Sequence, residues 1–132
     1  TESYHEFAEG PWLTKKAMIW FWKQYAPDES KREEIYACPL RATTEELAGL
    51  PPALVITDEN DVLRDEGEAY AQKLSDAGVQ VGAVRVNGTI HDFVMLNALA
   101  DTIPTKIAIE LAVRVLQDVL ASLEDNDNNG EN

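Results

Sequence analysis

Apolar positions change their spacing several times along this chain, and each change predicts an element. From Trp12 to Tyr25 they recur at helical intervals, with Leu13, Ala17, Phe21 and Tyr25 on one row, Met18 and Trp22 on the next, and Thr14 placed as an N-cap. Ile19 and Trp20 make that helix apolar nearly all round, as in an element that is buried or that covers a pocket or a partner. Ala53 to Thr57 is instead a short unbroken apolar run, which predicts a strand covered on both faces in a parallel sheet. Asp65 to Ala77 returns to helical spacing through Ala69, Tyr70 and Leu74, with acids in its first turn and Gly78 as its stop. Val79 to Val86 sets Val81, Val84 and Val86 among Gln80 and Arg85, which suits a less covered strand near a sheet edge. The order strand, helix, strand predicts an α/β fold: two parallel strands with flanking helices, and a sheet left incomplete.

The remaining stretches are connections and one long helix. Thr1 to Pro11 reads as loop, broken at Gly10-Pro11; Pro27 to Ser30 ends the first helix; Lys31 to Tyr36 is a short charged stretch; and Cys38-Pro and Leu50-Pro-Pro bracket a loop carrying Thr43, Thr44, Glu45 and Glu46. Asn87-Gly88, between two apolar runs, carries a strong hairpin signal, under which Thr89 to Leu96 is an antiparallel strand. The continuation through Asn97-Ala-Leu-Ala100 is helix-compatible instead, and pattern alone leaves the two readings even. Ile107, Leu111, Val115, Val119 and Leu123 fall at every fourth position, with Pro104 where a first-turn proline is tolerated, predicting a long helix with a broad apolar face for the sheet. Glu124 to Asn132 has no apolar residue and is expected to be a disordered acidic tail, which leaves 1–123 as the folded part.

Composition removes several function classes. The 24 acidic against 11 basic residues give a formal charge of -13, so phosphate backbones and anionic lipid surfaces are repelled and nucleic acid is not an expected partner. No run approaches the length of a membrane span. The single cysteine, Cys38, is expected as a small buried hydrophobe beside Pro39, and the lack of an internal disulfide suits a reducing, cytoplasmic setting. Beginning at Thr1, with neither an initiator methionine nor a signal sequence, the chain reads as the interior of a longer gene product.

Two residues carry candidate chemistry. Asp61 lies just past the carboxyl end of the first strand and His91 a few residues past the second, so a right-handed crossover brings both to the edge where open α/β sheets bind ligands. An aspartate there can hold an imidazole's tautomer while the other ring nitrogen works as general base and acid. Each also has a plain structural reading: an aspartate after a strand often caps a turn, and a loop histidine is often structural. His5 has no comparable context and reads as a surface or capping residue.

Leu50-Pro-Pro-Ala-Leu-Val-Ile-Thr-Asp-Glu-Asn-Asp61, Asp61-Val-Leu-Arg-Asp-Glu-Gly-Glu-Ala-Tyr70, Leu74-Ser-Asp-Ala-Gly-Val79 and Asn87-Gly-Thr-Ile-His-Asp-Phe93 together resemble the carboxyl-terminal part of the hormone-sensitive-lipase-like esterases of the α/β-hydrolase superfamily. The resemblance runs from about Thr1 to Leu123 and implies that Asp61 is a triad acid and His91 a triad base. It also implies a loop and short helix after the histidine rather than a hairpin. Asp92 stands where that family has glycine, placing an extra carboxylate beside the imidazole. The family's Gly-x-Ser-x-Gly elbow and His-Gly-Gly-Gly-type oxyanion loop do not occur in this sequence, and Ser3, Ser30, Ser75 and Ser122 lack flanking glycines.

The expectation is therefore a carboxyl-terminal piece of a serine carboxylesterase acting on small uncharged acyl esters, needing no cofactor or metal and inactive by itself. Its expected partner is the amino-terminal half of the same protein; alone, it is expected to form homo-oligomers or exchange strands. The alternatives are a non-catalytic interaction protein docking through Trp12 to Tyr25, and a peptidase or lactonase of the same superfamily.

Overall fold

Ala53–Asn60 (β1) and Val81–Ile90 (β2) lie side by side as a parallel pair, joined through the helix Arg64–Asp76 (α4). The structure, a computed structural model, describes residues 1–129, and side chains through 121. Ahead of the sheet come the helices Glu2–Glu6 (α1), Lys15–Tyr25 (α2) and Thr44–Leu47 (α3), and after it Ile103–Asn129 (α5). The chain divides into two compact units, Thr1–Asp92 and Phe93–Asn132.

In the first unit the register runs evenly from Ala53 opposite Val81 to Asp58 opposite Val86, then shifts so that Asn60 faces Ile90. The extra length lies on β2 at Asn87-Gly88, where Gly88 takes φ 75° and its N–H donates to the Glu59 carboxylate at 2.6 Å. A positive φ is what Asn-Gly supplies to a hairpin turn; here it supplies a bulge within a parallel strand, and no hairpin forms. Both strands run further than their apolar runs suggested, β1 by three residues past Thr57 and β2 by four past Val86.

The core lies at the amino-terminal end of the strands. Ala42, Leu47, Leu74 and Val79 are buried together, with Ile35, Ala53, Tyr70, Ala77 and Val81 packed against them. Helix α3, expected as loop, is held by a capping box: the Glu46 N–H donates to the Thr43 hydroxyl, and the Thr43 N–H donates to the Glu46 carboxylate. Further along, α4 closes tightly on β1. A Cβ at Gly67 would stand 2.8 Å from Thr57 Cγ2, so glycine sets how near the helix approaches.

Several other expectations need correction. Thr1 to Pro11 is not all loop, because α1 forms where Ser3 docks on the turn after β1. Helix α2 begins at Lys15, with Thr14 capping the Ala17 N–H at 3.1 Å, so Trp12 lies outside it. None of its residues is buried, and Ile19, Trp20, Phe21 and Tyr25 are exposed. Cys38 is half-buried rather than buried.

In the second unit a short 3-10 turn, Asn97–Leu99, precedes α5, as the resemblance implied in place of a strand. The Thr105 hydroxyl, fully buried, donates to the Phe93 carbonyl at 3.3 Å and ties the start of α5 to that loop. The backbone of α5 stays helical to Asn129, into the stretch expected as disordered tail; 130–132 lie outside the described residues. Among the described residues, no helix is long and apolar enough to cross a membrane.

Candidate active site

The carboxyl ends of β1 and β2 bring together an acid and a base that sequence spacing had placed on one edge. His91 Nδ1 lies 2.8 Å from Asp61 Oδ2. Asp61 is 5% exposed, and its second oxygen accepts the Leu63 N–H at 2.9 Å, an Asx turn that fixes the carboxylate as the chain leaves β1 for α4. Burial alone pushes the Asp61 carboxyl up, but the hydrogen bonds from His91 and the Leu63 N–H outweigh it and hold the group below the usual carboxylate range. An ionised Asp61 accepts, so Nδ1 carries the proton and Nε2 keeps its lone pair. The Asp61 hydrogen bond raises the imidazole pKa, burial opposes, and the charges of Asp61, Asp92 and Asp58 add to the rise.

The turn is braced from several sides. Ser3, with no exposed surface, donates its hydroxyl to the Val62 carbonyl at 2.8 Å, and its N–H donates to Asp65 Oδ2 at 2.7 Å. Arg64 donates to the Glu59 carbonyl, to Glu6 and to Asp65, and its guanidinium sits 5.2 Å from the centre of the Phe7 ring. On the other strand, Asn60 Nδ2 donates to the Thr89 carbonyl at 3.0 Å, closing the bulge just before His91. Burial, then the neighbouring Glu66 carboxylate and the Asp61 charge, push the Tyr4 phenol up.

Two further carboxylates flank the pair: Asp92, which the sequence already placed beside the imidazole, and Asp58, which it did not single out. Asp58, at the buried end of β1, shares a hydrogen bond with Asp61; burial, then the Asp61 charge, push its pKa up to about 7. Two carboxyls in hydrogen-bond contact need a proton between them, and the pKa values place it on Asp58. The available signal was a carboxylate ending an apolar strand three residues before the candidate acid. Asp92 lies on the opposite side of the ring: Oδ1 is 3.5 Å from His91 Nε2, and Oδ2 accepts the Trp12 indole N–H at 3.1 Å. His5, by contrast, is exposed at the end of α1.

Asp58, Asp61 and His91 offer ligand atoms within 4.8 Å of one another, close enough to surround a cation. Asp61 Oδ2 and His91 Nδ1 are already spent on each other, however, and a metal there would have to break that bond. The arrangement suits proton transfer better than metal coordination. Of the candidate serines, Ser3 is committed to Val62, Ser30 lies in the 3-10 turn Glu29–Glu33 bonded to Asp28, and Ser75 is on α4.

The sequence profile of a family described as alpha/beta hydrolase fold matches residues 1–95. A vegetative-specific protein of Dictyostelium discoideum is 41% identical over 99% of this chain and 39% of its own length. An esterase of Gibberella moniliformis is 32% identical over 89% of this chain and 37% of its own. Among solved structures, a thermostable esterase from Pseudomonas putida superposes with TM-score 0.84 at 57% identity, covering 85% of this chain and 35% of that one. The chain thus spans between a third and two fifths of the length of these proteins. It belongs to the alpha/beta hydrolase fold family, in its hormone-sensitive-lipase-like branch.

Proposed function

We propose that the protein carrying this chain is a serine carboxylesterase acting on small, uncharged acyl esters, with Asp61 as the acid and His91 as the base of its triad. The observation that carries this reading is the 2.8 Å contact between His91 Nδ1 and Asp61 Oδ2 at the carboxyl ends of adjacent parallel strands. Asp61 holds the tautomer that leaves Nε2 free to accept a proton from an attacking hydroxyl. It then stabilises the imidazolium until the proton passes to the departing alkoxide. The nucleophile and oxyanion hole come from the amino-terminal half, the chain's partner, so this chain alone does not turn over substrate. An unpaired chain dimerises or exchanges strands to cover β1 and β2. The esterases among its relatives support the reaction class.

The test is p-nitrophenyl acetate hydrolysis by the complete protein, by this chain, and by variants. Asp61→Asn and His91→Ala are expected to lower kcat about 10⁴-fold in the complete protein, by analogy with triad deletions elsewhere. Turnover that survives His91→Ala would remove the reading. Lactone and peptide substrates in the same assay separate the lactonase and peptidase alternatives. The exposed Ile19, Trp20 and Phe21 of α2 favour a second reading, a non-catalytic protein that docks a partner there; it requires the complete protein to be inert in every one of these assays.

A further inference from the structure

We propose that Trp12 is a positioning residue that keeps the Asp92 carboxylate from capping Nε2 of His91, the nitrogen that must stay open to the attacking hydroxyl. The inference rests on the reading of His91 as base.

Asp92 follows the base directly and stands on its Nε2 side, so it is placed to pair with the imidazolium. A carboxylate hydrogen-bonded there would occupy the position of the hydroxyl and hold the ring protonated. The observed separation is 3.5 Å, beyond a good hydrogen bond, and no hydrogen bond joins the two groups. What holds the carboxylate back is its other oxygen, which accepts the Trp12 indole N–H at 3.1 Å.

The backbone agrees. Trp12 and Asp92 are the non-glycine residues with positive φ among those described, at 66° and 65°. Such conformations are disfavoured for residues that carry a Cβ and persist where the surroundings impose them. Two residues 80 positions apart, each in the left-handed region, meet through one hydrogen bond beside the candidate base. Trp12 also lies ahead of α2 rather than within it, so its side chain is not directed by helix packing. The titratable groups facing the imidazole are Asp58 from β1, Asp61 from the turn after it, and Asp92 from its own loop; Tyr4, hydrogen-bonded to Glu66, feels the Asp61 charge.

The experiment uses the complete protein with Trp12→Phe, which keeps a ring but removes the donor, Asp92→Asn, which keeps an acceptor for Trp12 but removes the charge, and the double variant. The pH dependence of kcat/KM is measured with p-nitrophenyl acetate. In parallel, NMR follows the His91 ring, assigned by its loss in His91→Gln. For Trp12→Phe the acid limb and the His91 titration are both expected to move up by about one pH unit, with roughly tenfold lower activity below the limb. For Asp92→Asn both move down, and in the double variant the rise vanishes. A Trp12→Phe rise that persists without the Asp92 charge, or no rise at all, overturns the inference. If His91→Ala stays active while the NMR shifts appear as stated, the base assignment has failed and the Trp12 restraint has not.

Discussion

Ser3 and Val62, 59 positions apart, are joined by a 2.8 Å hydrogen bond that has no exposed surface on either residue. The same serine holds Asp65 through its backbone N–H, so α1 acts as a clasp on the turn carrying Asp61. Ser3→Ala removes a partner from the buried Val62 carbonyl and is expected to destabilise the protein by about 1–3 kcal/mol. An unchanged denaturation midpoint at unchanged slope would show that α1 is a passive appendage.

Asp58 gives the site a built-in pH dependence. Its pKa rises from 3.8 to about 7, so the folded state retains a proton that the unfolded chain gives up. Folding stability contributed here is full below pH 3.8 and declines as pH climbs towards 7. Asp58→Asn still donates to Asp61 but does not titrate, so its advantage over the parent should widen across that interval. Thermal melts of both proteins at pH 5 and pH 8 check this, and parallel curves would count against a proton held on Asp58. Where Asp58 is ionised, above about pH 7, the substitution also removes a negative charge beside the imidazole and should lower the His91 titration point.

Gly67→Ala tests how closely α4 sits on β1. Alanine favours the helix by about 1 kcal/mol, yet its methyl would meet Thr57 Cγ2 at 2.8 Å on a buried strand position. Net destabilisation of about 1–2 kcal/mol is expected, from an overpacking cost that exceeds the propensity gain. Pairing it with Thr57→Ser, which deletes the opposing methyl, should recover most of the loss in urea titrations.

Arg85 and Glu68 make a two-point ion pair at 2.6 and 2.7 Å, but Arg85 is exposed and Glu68 only half-buried. Arg85→Met is therefore expected to cost less than about 1 kcal/mol and to do so only at low salt. A larger loss that persists at high salt would mean that this pair organises α4 against β2.

What the sequence made legible was whatever a local pattern encodes. The apolar run of β1, the helical spacing and Gly78 stop of α4, and the positions of Asp61 and His91 past two parallel strands all follow from neighbours within a few residues. The parts that were missed depend on contacts across tens of residues. Helix α1 exists because Ser3 reaches Val62, and the Asn87-Gly88 bulge because Glu59 and Asn60 receive it; the Asp92 carboxylate was expected beside the imidazole, but its bond to Trp12 was not. Asp58 was hidden differently. An acid at the end of an apolar strand looks like a solvent-facing terminus until the neighbouring carboxylate is placed beside it.

The bulge before His91 carries a rule for anyone editing this chain. Between Val86 and Ile90 β2 advances four residues while β1 advances two, from Asp58 to Asn60. Because side chains alternate along a strand, the surplus is even, and the imidazole comes back to the side it would have had without it. Trimming both Asn87 and Gly88 would preserve that parity, whereas deleting either alone would throw His91 to the far surface. Circular permutants and loop grafts are therefore safer opened in the segment 77–80, ahead of β2, than anywhere in 86–90.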